Sequence, residues 1–71
     1  MVLEIGDFVK GKNGKGLINA FNINMIKGVV IEKRMINGKM KVRVRVLENV
    51  YNEYIGRTTA GFHSIDCFEK L

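Results

Sequence analysis

The chain of 71 residues contains no proline, no tryptophan and a single cysteine, Cys67. The lack of proline excludes a proline-rich linker, and one cysteine cannot form a disulfide within the chain and suits a reducing compartment. No apolar run approaches the roughly 18 residues of a membrane span. The acidic start, MVLEIGDF, is not typical of a signal peptide. We therefore expect a cytoplasmic protein without a membrane partner.

Acidic residues are scarce in the middle of the chain. Residues 10–45 contain ten lysines and arginines and one acid, Glu32, so this segment has a net charge of +9 in a chain of net charge +5. Each flanking segment carries −2. A segregated basic segment indicates an anionic partner, and a solvated strand face on a basic protein is the alternative explanation.

The strongest structural signal is the Asn37-Gly38 pair within residues 27–47. Asn-Gly between alternating hydrophobic runs predicts a β-hairpin, because both central residues of a type I′ turn need a positive φ. This turn sets the register of the two strands. On one face, Met35 faces Met40, Lys33 faces Val42, Ile31 faces Val44, and Val29 faces Val46. On the other face it pairs Arg34 with Lys41, Glu32 with Arg43, and Val30 with Arg45. One face of the hairpin is then apolar and the other basic.

Three shorter strands are predicted around this hairpin, at residues 5–10, 56–62 and 68–71. In the first, either Phe8 or the pair of Ile5 and Val9 turns inward. The last two are joined by a tight turn at residues 63–67, which Ser64 or Asp66 caps.

Loops complete the chain. Residues 11–16, GKNGKG, are typical of a loop. Residues 17–24 have both helical and strand spacing, and we interpret them as the extended leg of a long loop, with Phe21 and Ile23 packed against the core. Residues 48–55 form a polar and aromatic connection.

These elements define a single all-β domain over residues 1–71. An open sheet of five short strands would leave exposed edges, and closing it into a barrel removes them. We therefore predict a small five-stranded barrel built around the Asn-Gly hairpin.

The strand sequences, in this order, resemble the KOW-type, SH3-like barrel found at the C-terminus of NusG-type transcription factors and in several ribosomal proteins. The matching segments are residues 6–9 (GDFV), 28–32 (GVVIE), 41–46 (KVRVRV), 56–59 (GRTT) and 68–71 (FEKL). The resemblance implies association with RNA, or docking on a large complex such as RNA polymerase or the ribosome. The tryptophan-based groove of signalling SH3 domains is missing, so binding of proline-rich peptides is not expected.

His63, Asp66 and Cys67 lie close in sequence but do not predict an enzyme. A Cys-His pair needs a third group that orients the base, and a structural zinc site needs four ligands. The loop at residues 11–16 lacks the spacing of a phosphate-binding loop. We therefore expect a non-enzymatic protein with no cofactor and no metal.

The basic hairpin face is the main candidate for function. Lysine and arginine bind nucleic-acid phosphates through counterion release. The residues predicted to contact RNA, DNA or another anionic partner are Lys12, Lys15, Arg34, Lys39, Lys41, Arg43 and Arg45. The hairpin itself carries no aromatic residue for base stacking, which would have to come from Phe21, Tyr51 or Tyr54.

A protein-interaction module is the second hypothesis. Such a regulator or inhibitor would dock on an acidic protein surface through an apolar centre. The residues predicted for that centre are Val30, Leu47, Tyr51, Tyr54 and Ile55.

Overall fold

The computed structural model describes residues 2–12, 25–59 and 61–71. The described residues form five strands: β1 (Phe8–Gly11), β2 (Met25–Ile36), β3 (Lys39–Asn49), β4 (His63–Ser64) and β5 (Phe68–Lys70). Two short 3₁₀ helices lie at Asn52–Tyr54 and Ile65–Cys67, and neither they nor any other helix found in these ranges is long and apolar enough to cross a membrane. All strand pairs are antiparallel, in one sheet of order β4-β3-β2-β1-β5. The all-β prediction is confirmed.

The central hairpin follows the prediction at its turn and in its distal half. Asn37 and Gly38 connect β2 to β3 with φ angles of 50° and 77°, the positive values that a type I′ turn requires. Four predicted pairs are confirmed, namely Met35 with Met40, Arg34 with Lys41, Lys33 with Val42, and Glu32 with Arg43.

The predicted register is wrong beyond Glu32. Val30 pairs with Val44, and Val29 pairs with Arg45, because Ile31 is an extra residue that forms a β-bulge. The predicted pairs of Val30 with Arg45, Ile31 with Val44 and Val29 with Val46 do not form. The bulge turns Val30 into the core, where 1% of its surface is exposed, so its assignment to a surface interface is also wrong.

The core lies on one face of the sheet, here called the inner face. Val9 is fully buried, whereas the neighbouring Phe8 is 46% exposed on the opposite, outer face. The predicted first strand thus begins at Phe8 rather than residue 5, and Ile5 is exposed. The buried apolar residues are Leu3, Val9, Met25, Val30, Val42, Val44, Val46, Cys67 and Phe68.

Among the described residues of the predicted fourth strand, 56–59 and 61–62, a single bridge forms, Thr58 with Arg45, and the strand itself is His63–Ser64. The regular ladder is interrupted here: Gly61 has a φ of 88°, and the Thr59 hydroxyl accepts the Val44 N–H at 3.2 Å. The predicted tight turn is the second 3₁₀ helix. Its cap is Ser64, whose hydroxyl oxygen accepts the Asp66 N–H at 3.3 Å.

The sheet is strongly curled, because its two edge strands are close neighbours in sequence. Four strand spacings in a flat sheet span about 19 Å, whereas the four residue steps from Ser64 to Phe68 reach at most about 14 Å. β4 and β5 do not pair with each other in the described ranges, so the hydrogen-bonded sheet is open. The predictions for residues 13–16 of the loop and for 17–24 lie outside the described residues.

Candidate nucleic-acid interface

The outer face of the sheet presents rows of side chains from several strands, because residues paired across antiparallel strands point to the same side. The three rows are Phe8, Val29, Arg45 and Thr58; Glu32 and Arg43; and Arg34, Lys41 and Ser64. The bulge at Ile31 leaves the alternation of β3 intact. The basic residues of β3 therefore share one side of the hairpin, as the sequence predicted.

Arg43 is held in place by neighbours on this face. One terminal nitrogen, Nη1, donates to the Glu32 carboxylate at 2.7 Å, and Nη2 donates to the Thr58 hydroxyl at 3.3 Å. Its Nε atom is buried and has no hydrogen-bond acceptor among the described residues. Arg43 thus links β3 to β2 and to the segment before β4, and its charge is balanced by Glu32.

Four further cations of the hairpin are not neutralised. Arg34, Lys39, Lys41 and Arg45 have no carboxylate within 4.0 Å in the described part of the chain, which includes all seven acidic residues. Arg34, Lys39 and Arg45 are exposed, and Lys41 is half-buried. Uncompensated positive charge is therefore concentrated on this side of the hairpin.

Three cations elsewhere on the sheet, Lys10, Lys33 and Lys70, are paired with acids, whereas Lys27 of β2 has no carboxylate within 4.0 Å in the described part of the chain. Lys33 contacts Glu4 at 2.7 Å. The β1–β5 side carries two further ion pairs, Lys10 with Glu69 at 3.6 Å and Lys70 with Asp7 at 3.4 Å. The pKa of Asp7 is lowered, chiefly because its carboxylate accepts the Glu4 N–H at 2.8 Å.

Two aromatic rings that sequence reasoning missed lie at this surface. Lys27 Nζ is 4.5 Å from the centroid of the Phe8 ring, and the Arg34 guanidinium carbon is 4.7 Å from the centroid of Phe62. Both distances are typical of cation–π contacts. Strand alternation gives the signal for Phe8, because an inward Val9 requires an outward Phe8. The position of Phe62 depends on how the segment before β4 folds back, which the sequence does not signal.

The remaining predicted phosphate contacts are more scattered. Lys39 pairs with Ile36 at the tip of the hairpin. Lys12 is exposed, but its backbone N–H donates to the Cys67 carbonyl at 3.0 Å, which ties this residue to the β1–β5 side. Lys15 lies outside the described residues, as does Phe21, one of the aromatics proposed for base stacking.

The residues predicted for a protein interface, apart from Val30, come from the end of β3 and the first 3₁₀ helix. Leu47 is 36% exposed, and Tyr51 and Ile55 are each 47% exposed. The rings of Tyr51 and Tyr54 pack edge to face, with centroids 5.9 Å apart. Arg57 lies over the Tyr54 ring at 5.9 Å, and its carbonyl accepts the Val46 N–H, which anchors this segment to β3.

His63 lies on β4, and Cys67 lies in the second 3₁₀ helix. Burial, followed by the charge of Lys41, lowers the pKa of His63, and its ring packs edge-on against Phe68 with centroids 6.4 Å apart. Burial, followed by the charge of Asp66, raises the pKa of the Cys67 thiol. Within residues 2–12, 25–59 and 61–71, no group of three or more His, Cys, Asp or Glu residues could hold a metal ion.

Comparisons with known proteins give no relative for this chain. No protein-family model, no curated protein and no solved structure matches it. Function is therefore inferred from the residues of the outer face and from their charges.

Proposed function

We propose that this chain is a small, non-enzymatic nucleic-acid-binding module, acting alone or within a ribonucleoprotein, that binds through the outer face of its hairpin. The observation that carries the proposal is the uncompensated charge of Arg34, Lys39, Lys41 and Arg45. Exposed cations without acidic partners release counterions from a phosphate backbone when they bind it. A cytoplasmic location is part of the proposal, because a single cysteine suits a reducing compartment.

An SH3-like barrel of the KOW type is the architecture we propose for this module. Three features support it: the order of the five strands, the long β2 that pairs with both β1 and β3, and the short 3₁₀ helix between the last two strands. The bulge at Ile31 supplies curvature in β2, since a bulged strand bends and twists more strongly. The strand sequences that resemble KOW-type domains favour the same architecture and an association with RNA.

Titration of labelled oligonucleotides tests the proposed function. Fluorescence anisotropy is measured with single- and double-stranded RNA and DNA at about 50 mM and 200 mM salt, a range over which phosphate contacts weaken strongly. Lys41→Gln/Arg45→Gln removes two of the unpaired cations. The matched control, Lys10→Gln/Lys70→Gln, removes the same charge from residues that are already paired with acids.

We expect salt-sensitive binding that the hairpin variant weakens about tenfold or more, with a salt slope reduced by roughly two. The control should retain most of the affinity, because Glu69 and Asp7 already balance the charges it removes. Equal losses in both variants would mean that net charge, not this face, is responsible. No salt-sensitive binding to any oligonucleotide at low salt would refute the function.

A protein-interaction module is the second candidate. It is favoured by the exposed apolar residues Leu47, Tyr51 and Ile55, which come from the end of β3 and the segment after it, where Tyr51 packs against Tyr54. Its partner would be an acidic protein surface on a large complex. Capture of a stoichiometric protein by the tagged chain after nuclease treatment, lost on Tyr51→Ser/Ile55→Ser, would support it. Capture of nuclease-sensitive material alone would exclude it.

A further inference from the structure

Phe8 and Phe62 flank the basic hairpin on opposite sides. Phe8 lies on β1 and pairs with Val29, in the row that continues to Arg45. Phe62 immediately precedes β4 and contacts Arg34 of β2. In the sheet order, β1 and β4 are three strand positions apart, with β2 and β3 between them. The charged part of the outer face thus lies between two aromatic rings.

Each ring is accompanied by a cation. Lys27 lies over Phe8, and Arg34 lies over Phe62. A nucleotide carries an aromatic base and a phosphate, and these two pairs offer a partner for each: a ring for the base and an adjacent positive charge for the phosphate. Phe8 remains 46% exposed beside Lys27, so part of its surface is available for a base.

We propose that the outer face selects single-stranded over double-stranded nucleic acid by stacking bases on Phe8 and Phe62. The inference rests on the proposed nucleic-acid function and names its substrate class. A duplex keeps its bases stacked on one another, so it reaches only the cations, whereas a single strand offers unstacked bases as well. Every base has a π-face, so this selection works for RNA and DNA and needs no particular sequence.

The charge between the rings fits a backbone that crosses the hairpin. Arg45 lies in the Phe8 row, one strand beyond Val29, and is exposed without an acidic partner in the described part. Glu32 is engaged with Arg43 at 2.7 Å, and Glu48 lies opposite Lys27 in the β2–β3 register. A strand running from one ring to the other therefore passes the exposed charge of Arg45, where the carboxylate of Glu32 is already paired.

Ring substitutions test the proposal. Phe8→Leu and Phe62→Leu keep an apolar side chain but remove the flat surface on which a base stacks. Tyr51→Leu is the matched control, because Tyr51 is an exposed aromatic just after β3 that belongs to neither the Lys27–Phe8 pair nor the Arg34–Phe62 pair. Affinities are measured for oligo-U, oligo-dT and a mixed-sequence duplex of about 12 units, a length within known single-strand site sizes. Circular dichroism melting verifies that each variant folds.

We expect the unaltered protein to bind both single strands at least about tenfold more tightly than the duplex. Each phenylalanine substitution should weaken single-strand binding about tenfold, while duplex affinity and the salt slope stay constant. Tyr51→Leu should change neither affinity.

Two results would overturn base stacking while leaving phosphate binding intact. They are equal affinity of the unaltered protein for single strands and duplex, and unchanged single-strand affinity in both phenylalanine variants. Absence of binding to all three oligonucleotides would refute the proposed function itself. If a variant fails to fold, the unaltered protein is photo-crosslinked to RNA that contains 4-thiouracil. Base stacking requires crosslinked peptides that contain Phe8 or Phe62. Crosslinks confined to other peptides would contradict it.

Discussion

Val30 and Val44 face each other across the central hairpin, and the register passes over Ile31 beside them. The extra residue reverses the alternation of β2, so Val30 is buried while Val29 points outward beside Arg45. The bulge therefore has two effects on the sheet. It places a valine in the core, and it keeps an apolar side chain between Phe8 and Arg45 on the outer face.

The bulge predicts that substitutions at two neighbouring valines differ in their effect on stability. Val30→Thr should lower the free energy of unfolding by about 1–3 kcal/mol, because it buries a hydroxyl in an apolar site. Val29→Thr should change it by less than about 0.5 kcal/mol, since this half-buried residue lies on the outer face. Urea denaturation of both variants measures the difference. Equal losses, or a larger loss at Val29, would contradict the bulged register.

Local signals in the sequence predicted most of the hairpin. The Asn-Gly turn specified the register from the turn to Glu32, and strict alternation in β3 specified its basic face. The bulge was not predictable, because residues 29–31 are consecutive β-branched residues that suit either face of a strand. The aromatic part of the candidate site depends on contacts between distant segments, β1 with β2 and residue 62 with Arg34. Only the outward position of Phe8 could be predicted locally, from the alternation of side chains along β1.

The Thr59 side chain supplies the hydrogen-bond acceptor for the Val44 N–H. Its buried hydroxyl accepts the Val44 N–H and donates to the Gly61 carbonyl, each at 3.2 Å. Thr59→Val should cost about 1–3 kcal/mol of stability, because it leaves a buried N–H without an acceptor. Thr59→Ser keeps the hydroxyl and should restore most of that loss.

Thr58 provides the matched control for this prediction, measured by thermal and urea unfolding. Its hydroxyl accepts from Arg43 at 3.3 Å in a half-buried position, so Thr58→Val should cost less than about 1 kcal/mol. The assigned role of Thr59 would be wrong if Thr59→Val and Thr59→Ser were equally stable.

Gly28 is required by close packing between strands. A Cβ atom at this position would lie 2.4 Å from Val44 Cγ1, 2.7 Å from Met25 Sδ and 3.1 Å from the Arg45 carbonyl oxygen. Gly28→Ala should therefore destabilise the fold by about 1–3 kcal/mol through overpacking. Val44→Ala removes the closest clashing atom, so the double variant should lose less stability than the sum of the single variants. Additive losses in urea denaturation would show that the Val44 contact is not the cause.

The single histidine of the chain gives a pH dependence that can be isolated between about pH 5 and 7. Burial and the charge of Lys41 lower the pKa of His63 below its ordinary value of 6.5. Between the lowered pKa and 6.5, the unfolded chain binds more protons than the folded chain, so the free energy of unfolding falls as the pH falls. Below the lowered pKa the loss levels off, because both states are protonated.

His63→Gln should remove this component, so its free energy of unfolding should change less than that of the unaltered protein as the pH falls through 6.5. Lys41→Gln should shift the pKa of His63 part of the way back, since the Lys41 charge is the second cause of the shift after burial. NMR titration of the imidazole measures the pKa directly, and urea denaturation at several pH values measures the stability. A His63 pKa at or above 6.5, or parallel pH profiles for His63→Gln and the unaltered protein, would show that the ring is not held in its neutral form by the fold.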